Sequence, residues 1–436
     1  MKEHIKTICS CIALLLIASL LGYVLMVAVY MLPDKFIVYN ASLSTDFLVK
    51  NYIEKDTVWM NWPDYFTDVV MLNIASFNGG EKTAFQRAIE NEKIGNTFEI
   101  VRWLSERTPI QKAFYVYEEE SAYYEITAYG KYWNGYLVFL RPLLLYFSMN
   151  QIYQIFEILM IISFIGTVIA LLVRKPSFVI PFVCSFFTLR PFSKFCLTYA
   201  IVNILLCAFL TISIASKKIK KNKKVRMLFF FAMGCITCYF TLMGYTFVIA
   251  LFSAVYLVFS ISNIEDGSSP KLMLLIEMLA YYAFGYVAMW AAKWAILLVF
   301  SSNLLADVYD SILIRLSHED SGQKVTLSNA LLWNVCGFYY KNNGLFISFL
   351  IGAIEIIVIA ILSFSQKKRL KAILYLDDLW AIAGTVVAVI LRYAVVLNHS
   401  KVHYFFMNRL MSGIIFVILS YGSALIERTI HKKNYS

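Results

Sequence analysis

Five groups of polar residues stand in or beside long apolar runs, where an ionisable side chain costs several kcal/mol unless it is paired or hydrated. Asp64 and Asp68 are four residues apart in a stretch with helical periodicity, proline first and Asp64 in the first turn. On one helix face, two carboxylates can hold a cation, or one can act as a base while its neighbour raises its pKa; the same spacing also fits a solvated face with Asp64 at the helix dipole. Lys131 and Arg141 bracket Tyr132, Trp133 and Tyr136, either a belt at head-group depth or a place where rings and cations meet a substrate. Arg190 and Lys194 flank a tight turn where an anion would account for both charges. Lys293 stands between Trp290 and Trp294, snorkelling to an interface or serving a ligand. The fifth group is His399 and His403, with Arg392 before them and Arg409 after. Two histidines four apart can bind a metal on a helix, but no Glu or third His lies nearby to complete a site. That favours hydrogen bonding to an anionic head group, or capping of helix ends.

The elements that position these residues follow from composition. The 436-residue chain is 60% hydrophobic and only 15% charged, a balance for a protein whose solvent is largely lipid. Apolar runs of spanning length predict an all-α polytopic membrane protein with about ten transmembrane helices in a single membrane domain, 1–436. The first span covers residues 8–32, an uncleaved anchor too long for a signal-peptide core. Residues 33–149 form a large extracytoplasmic loop with short amphipathic and interfacial helices, residues 150–427 hold the remaining spans, and residues 428–436 are a cytoplasmic tail.

The net charge of +11 does not call for a nucleic acid. Lys217, Lys218, Lys220, Lys221, Lys223, Lys224 and Arg226 form one block between apolar runs, and Lys367, Lys368, Arg369 and Lys371 form a second. Short basic loops of this kind are retained in the cytoplasm and touch anionic lipids. Counting crossings from a cytoplasmic N-terminus puts both blocks and the C-terminus inside, and the five polar groups outside. The eight cysteines give no disulfide framework, and Cys235 and Cys238, a C-x-x-C within a span, read as small packing residues.

Four stretches, taken in order, carry a resemblance: Asp64-Tyr-Phe-Thr-Asp68, Tyr132-Trp-Asn-Gly-Tyr-Leu-Val-Phe-Leu-Arg-Pro142, Gly285-Tyr-Val-Ala-Met-Trp-Ala-Ala-Lys-Trp294, and Asn398-His-Ser-Lys-Val-His403 with Arg409. With a first span, a large external loop and many spans after it, the chain resembles the C-type bacterial membrane glycosyltransferases that use polyprenyl-phosphate-linked sugars, in a branch found among surface-polysaccharide functions. The resemblance implies a bacterial cytoplasmic membrane and transfer of a sugar from a polyprenyl-phosphate donor to an extracytoplasmic glycan, lipid or protein acceptor. Asp68 matches the family's catalytic base, with Asp64 beside it. Arg190, Lys194, Lys293, Arg392, His399, His403 and Arg409 become candidates for holding the lipid phosphate, and Tyr132, Trp133 and Arg141 for the acceptor or the interface. Thr241 and Leu242 stand where related sequences carry an acidic residue after the Tyr-Phe pair. Divalent-cation dependence is left open. The opposing expectation is a transporter, flippase or polysaccharide-export partner that holds a lipid-linked saccharide without chemistry of its own.

Overall fold

The structure, a computed structural model, describes residues 2–44, 65–77, 81–95, 125–192, 196–242, 244–261, 271–320, 322–340, 342–364 and 376–433, together with Ile100 and Leu104. Among these the protein is all-α apart from two pairs of two-residue antiparallel strands. Helix α1 (Lys2–Tyr30) is followed by four short helices, α2 (Asp34–Ser42), α3 (Tyr65–Ser76), α4 (Ala84–Glu90) and α5 (Leu137–Leu144). Strands β1 (Lys93–Ile94) and β2 (Ile126–Thr127) pair between α4 and α5. Then come α6 (Met149–Arg174), α7 (Val179–Thr188), α8 (Leu197–Ala215), α9 (Lys223–Phe240), α10 (Phe247–Ser260) and α11 (Lys271–Phe300). Beyond α11, α12 (Leu305–Leu316), strands β3 (Glu319–Asp320) and β4 (Gln323–Lys324), and α13 (Leu327–Tyr339) precede α14 (Asn343–Phe364). Helices α15 (Leu376–Val395), α16 (Leu397–Val402) and α17 (Ser412–Lys433) end the described chain.

Among the described residues, seven helices are long and apolar enough to cross a membrane: α1, α6, α8, α11, α14, α15 and the stretch Tyr404–Ile430, which includes most of α17. Three further runs expected to span differ. Helix α7 has ten residues, about 15 Å at 1.5 Å per residue; α10 has fourteen; and α9 opens on Lys223, Lys224 and Arg226. Protein surrounds α10, whose residues from Val248 to Phe259 are all buried, so its length is not constrained by lipid. Helices α9 and α11 approach closely because glycines face each other's backbone. A Cβ on Gly234 would sit 2.1 Å from the Tyr282 carbonyl oxygen, and one on Gly285 would sit 2.1 Å from that of Phe231, the small-residue contact typical of helices in lipid.

Side-chain contacts define two ends of the bundle. At one, Lys175 pairs with Glu427 at 2.7 Å, Lys223 with Glu277 at 2.6 Å, and the buried Asp378 with both Lys271 and Arg428. This is the lysine-rich end. At the other, the short helices α2–α5 pack on α1 and on one another around Asp34. Arg87 of α4 donates to both Asp34 carboxylate oxygens, at 2.8 and 2.9 Å, and Arg141 of α5 donates to one of them at 2.5 Å. Arg141 also reaches the carbonyl oxygens of Val29, at 2.8 Å, and Ala75, while both guanidiniums lie over the Tyr30 ring at 4.9 and 4.8 Å. One carboxylate thereby ties α1, α2, α4 and α5 together.

Burial alone would raise the Asp34 pKa, but the hydrogen bonds and charges of Arg87 and Arg141 outweigh it and hold the carboxyl below its ordinary value of 3.8. The contribution is therefore complete above that value and is lost as pH falls through the lower folded value. Asp34→Asn, which leaves two buried guanidiniums without their anion, is expected to cost about 3–5 kcal/mol, read as a lower thermal midpoint of the detergent-solubilised protein at neutral pH.

Candidate functional site

Asp68 is fully buried on α3, and its carboxylate closes the start of α8. Asp68 accepts the backbone N–H of Leu197 at 2.7 Å and of Thr198 at 3.1 Å, the Thr198 hydroxyl at 3.0 Å and the Tyr153 hydroxyl at 2.8 Å. These four donors match the lone-pair capacity of a carboxylate, and two of them are amides that a helix start otherwise leaves without partners. Cys196, the residue preceding the helix, makes no side-chain cap, so a carboxylate from a segment more than a hundred residues away supplies it. Asp64 lies outside the described residues, as does Lys194.

The candidate cations divide by what they touch. Lys293 is buried within α11 and donates to the carbonyl oxygens of Ala88 and Ile89, at 3.2 and 2.9 Å, near the end of α4, 5.7 Å from the Trp133 ring. Arg190, in the left-handed region at φ 54°, donates to the Gly337 and Tyr340 carbonyl oxygens at 3.1 and 3.3 Å and to Asn408 Oδ1 at 2.9 Å. Burial and then the like charge of Arg409 weigh against its charged form; a guanidinium keeps its proton nonetheless. Arg409 donates to the carbonyl oxygens of Leu189 and Phe405 at 2.9 and 3.1 Å and lies 3.8 Å over the Tyr199 ring. Thr198 and Tyr199 are neighbours, so the carboxylate of Asp68 and the guanidinium of Arg409 meet the same first turn of α8. Arg392 differs from the rest. It sits in α15 near Tyr282 and Tyr286 of α11 and beside Tyr393, with no hydrogen-bond or ion-pair partner among the described residues.

Tyr132, Trp133, Tyr136 and His399 are buried, and His403 is half-buried. Trp133 is buried and donates to the Met289 carbonyl oxygen at 2.7 Å, and the Tyr132 hydroxyl accepts from Arg315 of α12. Arg141 belongs to the Asp34 cluster and is fully buried. The His399 and His403 rings lie with centroids 4.5 Å apart and planes tilted by 53°, and no group of three or more His, Cys, Asp or Glu side chains able to hold a metal ion occurs among the described residues. His403 opens onto a cleft of about 580 Å³ between α12, the β3–β4 turn and α16. Its polar lining is Ser317, Glu319, Asp320, Asn398 and His403, fixed by an Asp320–Lys401 ion pair at 2.8 Å and by Asn398 donating to the Glu319 carbonyl oxygen. Arg315, Glu319 and Asp320 were not singled out in the sequence; their only local signal was polarity between two apolar runs.

The fold and these buried polar groups define a multi-pass, all-α membrane protein. No known protein family, no curated protein and no solved structure matches the chain.

An amide at residue 68 would turn an NH2 toward donors that now find an acceptor. Asp68→Asn is expected to cost about 1–3 kcal/mol per orphaned donor and to speed hydrogen exchange at the Leu197 and Thr198 amides by about tenfold or more. For His403, burial and then the charge of Arg315 push the pKa from 6.5 down to about 4. The folded protein thus binds fewer protons than the unfolded chain between these values, and stability falls as pH drops from 6.5 toward 4. His403→Gln is expected to flatten that acid limb in a series of melts across this range.

Proposed function

We propose that the protein is a bacterial membrane glycosyltransferase that moves a sugar from a polyprenyl-phosphate-linked donor to an extracytoplasmic glycan, lipid or protein acceptor. In this reading the lysine-rich end faces the cytoplasm, as the distribution of basic loops favours, and α7, α9 and α10 complete ten crossings. Arg392 carries the reading: a cation within an apolar span, without a partner among the described residues, is matched by an anion that arrives from the bilayer. A lipid phosphate meets that description, and the Tyr286 phenol beside Arg392, whose hydroxyl has no hydrogen-bond partner among the described residues, offers it a hydrogen bond. Arg409 and Lys293, bound to carbonyl oxygens rather than carboxylates, add positive potential at the same end of the bundle.

The transfer breaks the bond between the anomeric carbon and the phosphate oxygen, and the electron pair leaves with the phosphate. The acceptor hydroxyl oxygen forms the new bond to that carbon as its proton passes to a carboxylate, Asp68 or its neighbour Asp64. Arg392 and Arg409 stabilise the growing phosphate charge. The cleft beside His403, with its carboxylate, amide and hydroxyl lining, suits the hydroxyl groups of a sugar. A second reading, a flippase or export partner that holds the lipid-linked saccharide without chemistry, is favoured by the donors around Asp68: with four of them among the described residues, serving as a base requires a donor to let go.

Purified protein in liposomes, given polyprenyl-phosphate-linked sugars and a glycan acceptor extract, is expected to release polyprenyl phosphate. Arg392→Gln is expected to weaken donor binding by about 10- to 100-fold, the loss of a charge-assisted contact. Donor binding without release of lipid phosphate would support the second reading, and unchanged donor binding in Arg392→Gln would sink both.

A further inference from the structure

Glu355 is the one charged residue between Asn343 and Phe364. It lies twelve residues into α14, about 18 Å along the helix axis, and is buried. Its carboxyl fits a notch on α17: Ser423 Oγ donates to Oε1 at 2.8 Å, and a Cβ on Gly422 would stand 2.1 Å from Oε2. No cation pairs with it among the described residues. Cys184 is the ionisable group that faces it from α7. The next charges along α17 are committed elsewhere, Glu427 to Lys175 and Ser177, and Arg428 to Asp378.

Ser412, Ser420, Ser423 and Glu427 recur at helical spacing on one face of α17. Ser412 Oγ accepts from the Thr188 hydroxyl at 2.7 Å, toward the end that carries the short helices, and Glu427 marks the lysine-rich end. The buried hydroxyls of Ser185, Ser253 and Ser420, on α7, α10 and α17, have no hydrogen-bond partner among the described residues. Helices α7, α10 and α14 all pack on α17. Phe416, fully buried, interrupts the polar stripe between Ser412 and Ser420.

We propose that Glu355 is a proton-binding site inside the membrane, exchanging its proton with the lysine-rich end along the Ser423–Glu427 face of α17. An ionised carboxyl without a cation costs several kcal/mol in hydrocarbon, so the site favours the acid form. The glycine notch and the Ser423 hydroxyl hold that carboxyl in place. Phe416 closes the other direction, which makes this a one-sided site rather than an open pore. The inference is independent of the glycosyltransferase reading, because it uses none of its residues.

The test is labelling of the intact purified protein with dicyclohexylcarbodiimide, an apolar reagent for protonated carboxyls, mapped by mass spectrometry. Glu355 is expected to be modified at about pH 6 and at least about tenfold more slowly at about pH 9, while Glu427 and Asp378, each held by cations, remain unmodified. Ser423→Ala, which keeps the notch and removes the exit hydroxyl, is expected to leave Glu355 reactive but to slow its exchange with bulk pH in a pH-jump version of the experiment. Absence of label at Glu355, labelling that does not change with pH, or equal labelling of Glu427 and Asp378 would overturn the proposal.

Discussion

The bond between Asp68 and the start of α8 shows the constraint that governs this molecule. A helix that begins inside an apolar bundle presents amides that no water can satisfy, and each one left bare costs free energy. The Asp68 carboxylate answers two of them at once. Lys293 does the converse at the end of α4, where carbonyl oxygens need donors, and Arg141 does the same for Val29 and Ala75. Asp68, Lys293 and Arg141 are thus employed in closing helix ends, and the short helices α3–α5 are held where they are by those bonds.

Against that background Arg392 and Glu355 stand out. Both are within spans, and neither has an oppositely charged partner among the described residues. They belong to different parts of the bundle, Arg392 facing α11 and Glu355 facing α17. A membrane protein tolerates such groups where a ligand or a proton compensates them. As proposed above, a lipid phosphate would compensate the cation and a proton the carboxyl.

Much of the architecture was legible in the linear chain. Long apolar runs identified the seven helices that, among the described residues, are long and apolar enough to cross a membrane, and the positions of α7, α9 and α10 were also visible as apolar stretches. Whether these three cross a bilayer is not a matter of hydropathy alone: α10 is buried by neighbouring helices, and α9 begins in a lysine block. Helices α12 and α13 and the cleft between α12 and α16 were not legible. Their sequence has mixed polarity, and they are positioned by distant partners such as Ser400, which accepts from Asn334 at 2.8 Å.

Asp64, Asp68 and the scattered cations illustrate the same division. Residue type and spacing determined that these side chains would be costly in lipid and would need partners, because burial of charge is penalised wherever it occurs. The sequence likewise determined the membrane class and the separation of a lysine-rich end from an end rich in aromatic residues. Tertiary structure alone decided which partners they found. It placed Asp68 against α8 rather than solvent, sank Arg141 into a cluster around Asp34, and left Arg392 beside tyrosines. Pairing depends on which helix ends meet, and residues separated by 129 positions, such as Asp68 and Leu197, carry no local signal of each other.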